Sequence, residues 1–199
     1  INVTVNGIPL NDPESQGVFW VNMPDFATSV ENIQVQRGVG TSTNGAAAFG
    51  ASINIQTQGL RADPYAEYNT SAGSFNTFKN NLTFGTGLLD GRFTIDGRLS
   101  KITSDGYIDR ASSDLKSFFV SGGYYGEKSI VKLNVFSGRE KTYQAWYGVP
   151  GDSLETNRTY NPAGEYYDDE GNLKYYDNQT DNYQQDHYQL ILSQKVNRY

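Results

Sequence analysis

VENIQVQRGVGTSTNGAAAFGASINIQT, residues 30–57, contains two short segments of strand-like alternation joined by a turn rich in glycine and alanine. Val30, Ile33 and Val35 carry the first segment, and Ile53 and Ile55 alternate with polar residues in the second. The residues of the turn with little or no side chain are Gly38, Gly40, Gly45, Ala46, Ala47, Ala48 and Gly50. Because glycine permits tight turns and close backbone approach, the stretch predicts two strands and a turn whose backbone packs against a neighbouring element.

The two halves of this stretch resemble consecutive motifs in the plug of TonB-dependent outer-membrane receptors. VENIQVQRGVG is similar to the family's IESIEVxRGP, and NGAAAFGASINIQT is similar to YGxxAxGGxINIxT. Upstream, VTVNGIPLND at residues 3–12 resembles a plug strand and turn of the family, in which a hydrophobic segment is followed by DG and then by xP. Val39 stands where the family has proline and Ala51 where it often has glycine, and both changes are conservative for the backbone. The resemblance implies the second half of a plug.

The amino-acid composition excludes some classes of protein. The formal charge of −6 argues against a nucleic-acid binder, which needs a basic face. The absence of cysteine excludes disulfides and cysteine-based metal or redox sites. The sequence contains no apolar run of ~18 residues and opens without a signal peptide. Strands of a membrane barrel alternate apolar and polar residues and give a weak hydropathy signal, so a membrane location stays open.

From residue 65 onward the hydrophobic period becomes two, which predicts strands. The predicted strands cover residues 65–73, 78–88, 92–102, 115–125, 129–139 and 186–197. Ahead of them, a strand with a turn at Asn6-Gly7 spans residues 1–10, and Pro24-Asp25 predicts one helical turn in residues 23–29. In residues 92–102 the predicted outward residues are Phe93, Ile95 and Leu99, and the inward ones are Arg92, Thr94, Asp96 and Arg98.

Alternation alone fits two architectures. Strands of ~9–11 residues suit a tilted membrane barrel, and a soluble β-sandwich that buries its apolar face shows the same pattern. Short turns at residues 89–91 and 126–128 and long loops at 103–114 and 141–185 favour the barrel. Together with the plug that the resemblance implies, these turns predict a mostly β chain, a fragment of a plugged transmembrane β-barrel, in which a partial plug precedes about six antiparallel up-and-down strands. Residues 1–60 form the C-terminal part of the plug, and residues 61–199 form the first barrel strands, with an extracellular loop at 141–185.

The loop at 141–185 is the predicted ligand-contacting element. It is acidic and aromatic, and aromatic side chains give rigid contact area at low entropic cost. Its candidate ligand contacts are Tyr143, Trp146, Tyr147, Tyr160, Tyr166, Tyr167, Tyr175 and Tyr176. The alternative is that these rings pack on one another and on adjacent loops. Within the loop, residues 165–167 and 173–176 predict an exposed hairpin around Asp169-Glu170-Gly171-Asn172.

Arg37 is the predicted plug–barrel anchor. An arginine buried at the end of a plug strand needs a partner, and Glu67 and Asp96 are candidates on the barrel wall. The acidic turn with Asp168 lacks the spacing of a calcium loop, so no metal site is predicted. The single histidine, His187, is interpreted as an interface or girdle residue rather than a metal ligand. No catalytic constellation and no cofactor motif is present, so the chain is not expected to be an enzyme.

The resemblance implies an outer-membrane receptor that imports a scarce nutrient, with energy delivered through TonB by a segment outside this chain. The implied partners are outer-membrane lipid, a small nutrient ligand and a surface-exposed partner protein. The loop composition is similar to that of receptors of the Bacteroidetes, and the plug motif differs from the starch-uptake type. Iron chelates or cobalamin are therefore the favoured ligands. The alternative from another class is a soluble carbohydrate-binding β-sandwich.

Overall fold

A computed structural model describes residues 1–38 and 48–196, and within these ranges the regular secondary structure is almost entirely β-strand. The strands are β1 (Asn2–Val5), β2 (Ile8–Pro9), β3 (Val30–Arg37), β4 (Ala51–Thr57), β5 (Tyr65–Gly73), β6 (Thr77–Gly85), β7 (Phe93–Ser104), β8 (Ser113–Tyr125), β9 (Ser129–Tyr143), β10 (Glu165–Tyr167), β11 (Leu173–Tyr175) and β12 (Thr180–Gln194). The predicted turn residues Gly40, Gly45, Ala46 and Ala47, and the predicted strand end Asn197, lie outside the described residues. No described helix is long and apolar enough to cross a membrane.

The first layer is a four-stranded sheet of order β2-β1-β4-β3, called here the small sheet. β3 and β4 pair antiparallel from Val30↔Thr57 to Arg37↔Ala51, as the alternation in residues 30–57 predicts. β1 and β2 form the predicted hairpin, and β1 runs parallel to β4. Between β2 and β3 the chain makes two 3₁₀ turns, Trp20–Asn22 and Phe26–Ser29, and the second falls inside the predicted helical turn.

The second layer is a six-stranded antiparallel sheet of order β12-β9-β8-β7-β6-β5, called here the large sheet. Successive strands from β5 to β9 are neighbours, and β12 follows β9, so the connectivity is up-and-down as predicted. The sheet is open, with β5 and β12 at its edges. The hairpin β10–β11, also predicted, forms a separate two-stranded ribbon within the long connection from β9 to β12.

The long connection is shorter than the predicted loop at 141–185. β9 and β12 pair without interruption from Gln194↔Ser129 to Thr180↔Tyr143. The connection between them therefore spans only residues 144–179. The added strand positions, such as Lys141 and Asn182, are polar on both faces, and for that reason alternation does not reveal them. Backbone pairing rather than hydrophobic pattern extends these strands, and the predicted loop boundaries are wrong at both ends.

The two faces of the large sheet have opposite chemistry, and the polar face is the covered one. On the outward face Ile95, Leu99 and Leu190 are 50%, 51% and 71% exposed. On the inward face Asn81 and Asn134 are fully buried beneath the small sheet or neighbouring side chains. The inward and outward assignments predicted for residues 93–99 are confirmed, whereas Arg92, predicted to face inward, precedes β7 and is exposed. The large sheet therefore presents apolar side chains to its surroundings and polar ones to the small sheet.

The hydrophobic core lies between the sheets and is small. It consists of Val3, Val5, Met23, Phe26, Ile55, Phe119 and Phe136. Phe136 of β9 is its centre, since its ring lies 5.1 Å from that of Phe26 and 6.0 Å from that of Phe119. Phe26 belongs to the second 3₁₀ turn, so these aromatic contacts join the small layer to the large sheet.

Replacing Phe136 by alanine tests the contribution of this core. We expect the Phe136→Ala substitution to lower the free energy of unfolding by about 3–5 kcal/mol, because it leaves a cavity at the junction of both sheets. Chemical denaturation of the purified protein gives the value. Tyr188→Ala, an outward substitution on the neighbouring strand, serves as the control and should change it by less than about 1 kcal/mol. Equal losses in the two variants would contradict the assignment of the core.

Candidate functional site

The carboxylate of Asp25 is the main polar contact between the two layers. Asp25 precedes the 3₁₀ turn Phe26–Ser29 and has a left-handed backbone with φ of 56°, a conformation that aspartate tolerates better than most residues. This conformation directs the side chain to the inward face of the large sheet. There Asn81 Nδ2 and Ser100 Oγ each donate to Asp25 Oδ2 at 2.6 Å, and Lys79 Nζ donates to Oδ1.

Arg98 completes the charge balance around Asp25. Its Nη1 lies 3.6 Å from Asp25 Oδ2, and the two side chains are 2% and 3% exposed. Arg98 also donates from Nε to Ser29 Oγ at 2.7 Å and from Nη1 to Ser117 Oγ at 3.0 Å. Charge-assisted bonds of this kind are stronger than neutral ones. We call Asp25, Lys79, Asn81, Arg98 and Ser100 the Asp25 hub.

The hub sets the ionisation of Asp25. Burial raises the pKa of this carboxyl group, but hydrogen bonds from Lys79, Ser100, Thr28 and Asn81 lower it more, so the pKa lies below its ordinary value of 3.8. Thr28 belongs to the same turn and donates from Oγ1 to Asp25 Oδ1 at 2.6 Å. Asp25 is therefore a carboxylate at neutral pH, and it meets two basic side chains of the large sheet.

A glycine in β9 allows this turn to approach the large sheet. A Cβ placed on Gly138 would lie 2.0 Å from the carbonyl oxygen of Asn22 and 2.7 Å from Cδ of Pro24. Contacts this short are not compatible with a side chain. The adjacent Ser117 Oγ donates to the carbonyl oxygen of Pro24 at 2.6 Å. The absence of a side chain at Gly138 thus places Asp25 within reach of its partners.

The structure does not bring Arg37 to its predicted partners. Arg37 is exposed at the end of β3, and it forms no ion pair with Glu67 or Asp96 in the described part of the chain. Glu67 instead pairs with Arg61 at 3.4 Å, and Asp96 accepts a hydrogen bond from Tyr65 at 3.1 Å. The contact between the layers goes through Asp25 because the turn at residues 24–29, not the end of β3, lies against β6 and β7.

Most of the candidate aromatic residues have structural contacts. Tyr143 is the last residue of β9 and is buried, and its hydroxyl donates to the carbonyl oxygen of Tyr176 at 2.7 Å. Tyr166 and Tyr176 stack with ring centroids 4.3 Å apart. Tyr160 and Tyr175 both donate to the carboxylate of Glu165, and this hydrogen bond raises the pKa of Tyr160 to about 12. These five side chains hold the connection together.

Arg110, in the connection between β7 and β8, ties the two long connections to each other. Its guanidinium lies 3.5 Å from the ring centroid of Tyr175, and it donates to the carbonyl oxygen of Asn161. Asn161 is buried and donates in turn to the carbonyl oxygens of Asp109 at 3.0 Å and Gln144 at 2.9 Å. The long connections therefore form one body at the same end of the large sheet.

Three of the candidate aromatic side chains stay open to a ligand. Trp146, Tyr147 and Tyr167 are 66%, 82% and 72% exposed. They belong to the connection that Arg110 and Asn161 fix in place. A fixed backbone with exposed rings can bind an aromatic or amphipathic ligand at low entropic cost.

The acidic turn and His187 have local contacts. The carboxylate of Asp168 accepts from the backbone nitrogens of Glu170 and Asn172, at 3.1 and 2.7 Å, and these bonds lower its pKa. In the described ranges no three histidine or acidic side chains are grouped as metal ligands would be. His187 stacks on Phe136 with centroids 4.5 Å apart, on the inward face of β12.

Asp25 is the functional residue that the sequence analysis missed. It was assigned to the start of a helical turn, where an acidic residue is common. The sequence of the large sheet did contain a signal for this contact. Lys79 and Arg98 both fall on inward positions of adjacent strands, and Arg98, which is buried, requires an acidic partner.

The two layers together define a class of fold. A small mixed sheet lies against the polar face of an up-and-down antiparallel sheet whose apolar face is outward, which is the arrangement of a plug against the wall of an outer-membrane barrel. The sequence matches no protein-family model and no curated protein.

Solved structures of receptors share this fold. The ferric-catecholate import receptor Fiu from E. coli K12, in its open form, matches with a TM-score of 0.69 and 17% identity over 98% of this chain and 29% of Fiu. The ferripyoverdine receptor of the Pseudomonas aeruginosa outer membrane matches with a TM-score of 0.62 and 14% identity over 87% of this chain and 21% of the receptor. A complex of the receptor FpvAI with pyocin S2 matches with a TM-score of 0.59 and 13% identity over 71% of this chain and 19% of that chain.

The chain thus spans less than a third of the length of these receptors. At these identities the likeness is one of fold. The fold of TonB-dependent outer-membrane receptors, implied by the motifs in residues 3–57, is confirmed.

Neutralising Asp25 tests the hub. In the Asp25→Asn variant Arg98 stays buried without a counter-charge, and such a loss typically costs about 3–5 kcal/mol. We expect faster proteolysis of residues 1–60 and a lower unfolding midpoint. Asp12→Asn, which changes a partly exposed turn carboxylate that contacts no described residue of the large sheet, is the matched control. Indistinguishable proteolysis of the two variants would show that Asp25 does not hold the layers together.

The lowered pKa of Asp25 predicts a pH dependence. A carboxylate with a lowered pKa in the folded state stabilises the fold fully above its unfolded pKa, and this stability is lost as the pH falls through the lowered value. The contribution of Asp25 should therefore be constant above pH 3.8 and disappear below it. Unfolding midpoints measured across this pH range should converge for the wild type and Asp25→Asn in acid. A constant difference down to the lowest pH would refute the prediction.

Proposed function

We propose that this chain is the plug-and-wall portion of an outer-membrane receptor that imports an iron chelate, with energy delivered through TonB. The chain supplies part of the plug, six wall strands and an external loop. The contact with TonB belongs to a segment outside this chain. The chemistry is binding and transport, and no enzymatic activity is proposed.

The inverted polarity of the large sheet carries this proposal. In water a sheet buries its apolar face, because burial removes that face from solvent. Here Phe93, Leu99 and Leu133 are about half exposed on the outward face, whereas Thr94, Arg98 and Asn134 are buried on the inward face. A lipid environment accounts for both faces, since lipid accommodates the apolar side and the plug pairs with the polar side. A soluble carbohydrate-binding sandwich, the alternative from another class, would bury the opposite face.

The strand lengths support the same environment. β7, β8, β9 and β12 have 12, 13, 15 and 15 residues. A tilted strand crosses the hydrocarbon in about 9–11 residues. These four strands are therefore longer than a membrane crossing requires, and their extra residues extend the sheet towards the long connections. The long connections then lie outside the membrane, where a ligand arrives.

An iron chelate is the ligand that the comparisons favour. Fiu is named for ferric catecholates and the Pseudomonas receptor for ferripyoverdine, and both share the fold of this chain. The exposed rings of Trp146, Tyr147 and Tyr167 offer flat surfaces for the aromatic groups of such chelates. Cobalamin, the other predicted ligand, has no counterpart in these structures. The complex of FpvAI with pyocin S2 supports the predicted protein partner.

Membrane fractionation of the full-length protein tests the location. We expect it in the outer-membrane fraction, with a gel mobility that changes on heating as the barrel unfolds. Uptake of radioactive iron from ferric catecholate and ferric hydroxamate chelates, with labelled cobalamin as a further substrate, then identifies the ligand. A soluble protein with heat-independent mobility would refute the membrane proposal, and uptake of cobalamin alone would refute the iron chelate.

Substitution of the exposed rings tests the loop. Trp146→Ala and Tyr147→Ala should each weaken binding of the transported chelate about tenfold or more, since exposed aromatic anchors contribute about 2 kcal/mol. Tryptophan fluorescence or calorimetry on the purified receptor measures this. Tyr188→Ala, an exposed ring on the outward face of β12, is the control and should bind normally. Normal binding by all three variants would leave these rings without a role in ligand contact.

A further inference from the structure

A row of basic side chains crosses the outward face of the large sheet. Lys101 of β7 lies opposite Lys116 of β8, and Lys116 lies opposite Arg139 of β9. Adjacent strands are about 4.8 Å apart, so three cations stand side by side, and all three are exposed. Asn80 and Gln184 continue the row on β6 and β12. We call Lys101, Lys116 and Arg139 the basic row.

Like charges directly opposite each other destabilise a sheet, and the acids near the basic row do not balance it. Asp114 lies 3.5 Å from Lys116 and is also opposite Lys141, the next basic residue along β9. Asp186 accepts hydrogen bonds from Gln184 at 3.2 and 3.3 Å. Among the described residues Lys101 and Arg139 form no ion pair. The row thus has an excess of positive charge that an external anion can neutralise.

The chemistry changes immediately beside the basic row. Two residues along β6, β7 and β8, towards the short turns, the outward side chains are Leu82, Leu99 and Phe118, and β9 and β12 continue this line with the polar pair Ser137 and Asp186. Together with Tyr68 the three apolar side chains form the floor of a shallow depression of about 550 Å³, and the basic row forms its upper rim. A free inorganic anion would use the rim alone. A molecule with anionic and apolar parts would use both.

We propose that this depression binds a phosphate-bearing anionic lipid, with the phosphate on the basic row and the acyl chains on Leu82, Leu99 and Phe118. The proposal rests on the proposed membrane location of the outward face. Lysine and arginine side chains suit this position, because their stems cover apolar surface while their charged ends reach the headgroup level. The long connections lie at the same end of the sheet as the row, so the bound lipid belongs to the external leaflet.

Native mass spectrometry of the full-length protein in detergent tests the proposal. The probes are cardiolipin, whose headgroup carries two phosphates, and the net-neutral dioleoylphosphatidylcholine. We expect cardiolipin adducts to exceed those of phosphatidylcholine. Each basic residue near an anionic lipid surface contributes about a fivefold change in affinity, so the combined variant Lys101→Gln, Lys116→Gln and Arg139→Gln should bind cardiolipin about a hundredfold more weakly.

A second triple variant controls for net charge. Arg92→Gln, Lys128→Gln and Lys195→Gln remove three exposed cations at the opposite end of the large sheet. This variant should keep most of its cardiolipin affinity. Equal losses in both variants would overturn the proposal, because they would show a general charge effect. Displacement of cardiolipin by millimolar inorganic phosphate would also overturn it, because the site would then select a free anion.

The measurement is independent of the location test. Heat-dependent gel mobility verifies that each detergent-purified variant is folded before the adducts are counted. A protein that is found in the outer membrane but shows no preference for cardiolipin refutes the lipid site and leaves the proposed function intact. A protein outside the outer membrane refutes the proposed function, whatever the adducts show.

Discussion

The pairing of Asp25 with Arg98 is the interaction on which the arrangement of the two layers depends. Each side chain is almost completely removed from solvent, and a charge in that position is costly unless its partner is present. Arg98 belongs to the large sheet and Asp25 to the turn that precedes β3, so neither layer can satisfy its own charge. The polar inward face of the large sheet therefore requires the small sheet, and the sheets fold as complementary halves rather than as independent units.

The same requirement fixes what the large sheet presents to its surroundings. Once Thr94, Arg98 and Asn134 face the small sheet, the period of two places Ile95, Leu99 and Leu133 on the opposite side. A slip of one residue in any strand would exchange the two sets. The core at Phe136 supports this register, because its ring contacts Phe26 in one layer and His187 and Phe119 in the other. The polarity and the register of the large sheet both match the contact that it makes with the small layer.

The local sequence pattern predicts where the strands lie. It does not predict which residues make the contacts between the two layers. The strand predicted at residues 65–73 coincides with β5 to the residue. Alternation fails at Lys141 and Asn182, where pairing continues after the apolar pattern has ended. Arg37 was a reasonable anchor by position, but its partner depends on which turn lies against β6 and β7, and no local pattern encodes this. Composition likewise does not separate Tyr143, which is buried, from Tyr147, which is exposed.

The close approach at Gly138 has a mechanical consequence. On the inward face of β9 this glycine lies between Phe136 and Glu140, and the carbonyl group of Asn22 approaches the strand at the glycine. A shift of the small sheet along the strand would drive this carbonyl into one of the two side chains, whereas a movement away from the sheet meets neither. The contact between Asn22 and β9 therefore resists sliding along the strand more than it resists movement away from the sheet. A force directed away from the sheet would separate the two layers from one edge, one hydrogen bond at a time. The force needed for separation therefore depends on the direction in which it is applied.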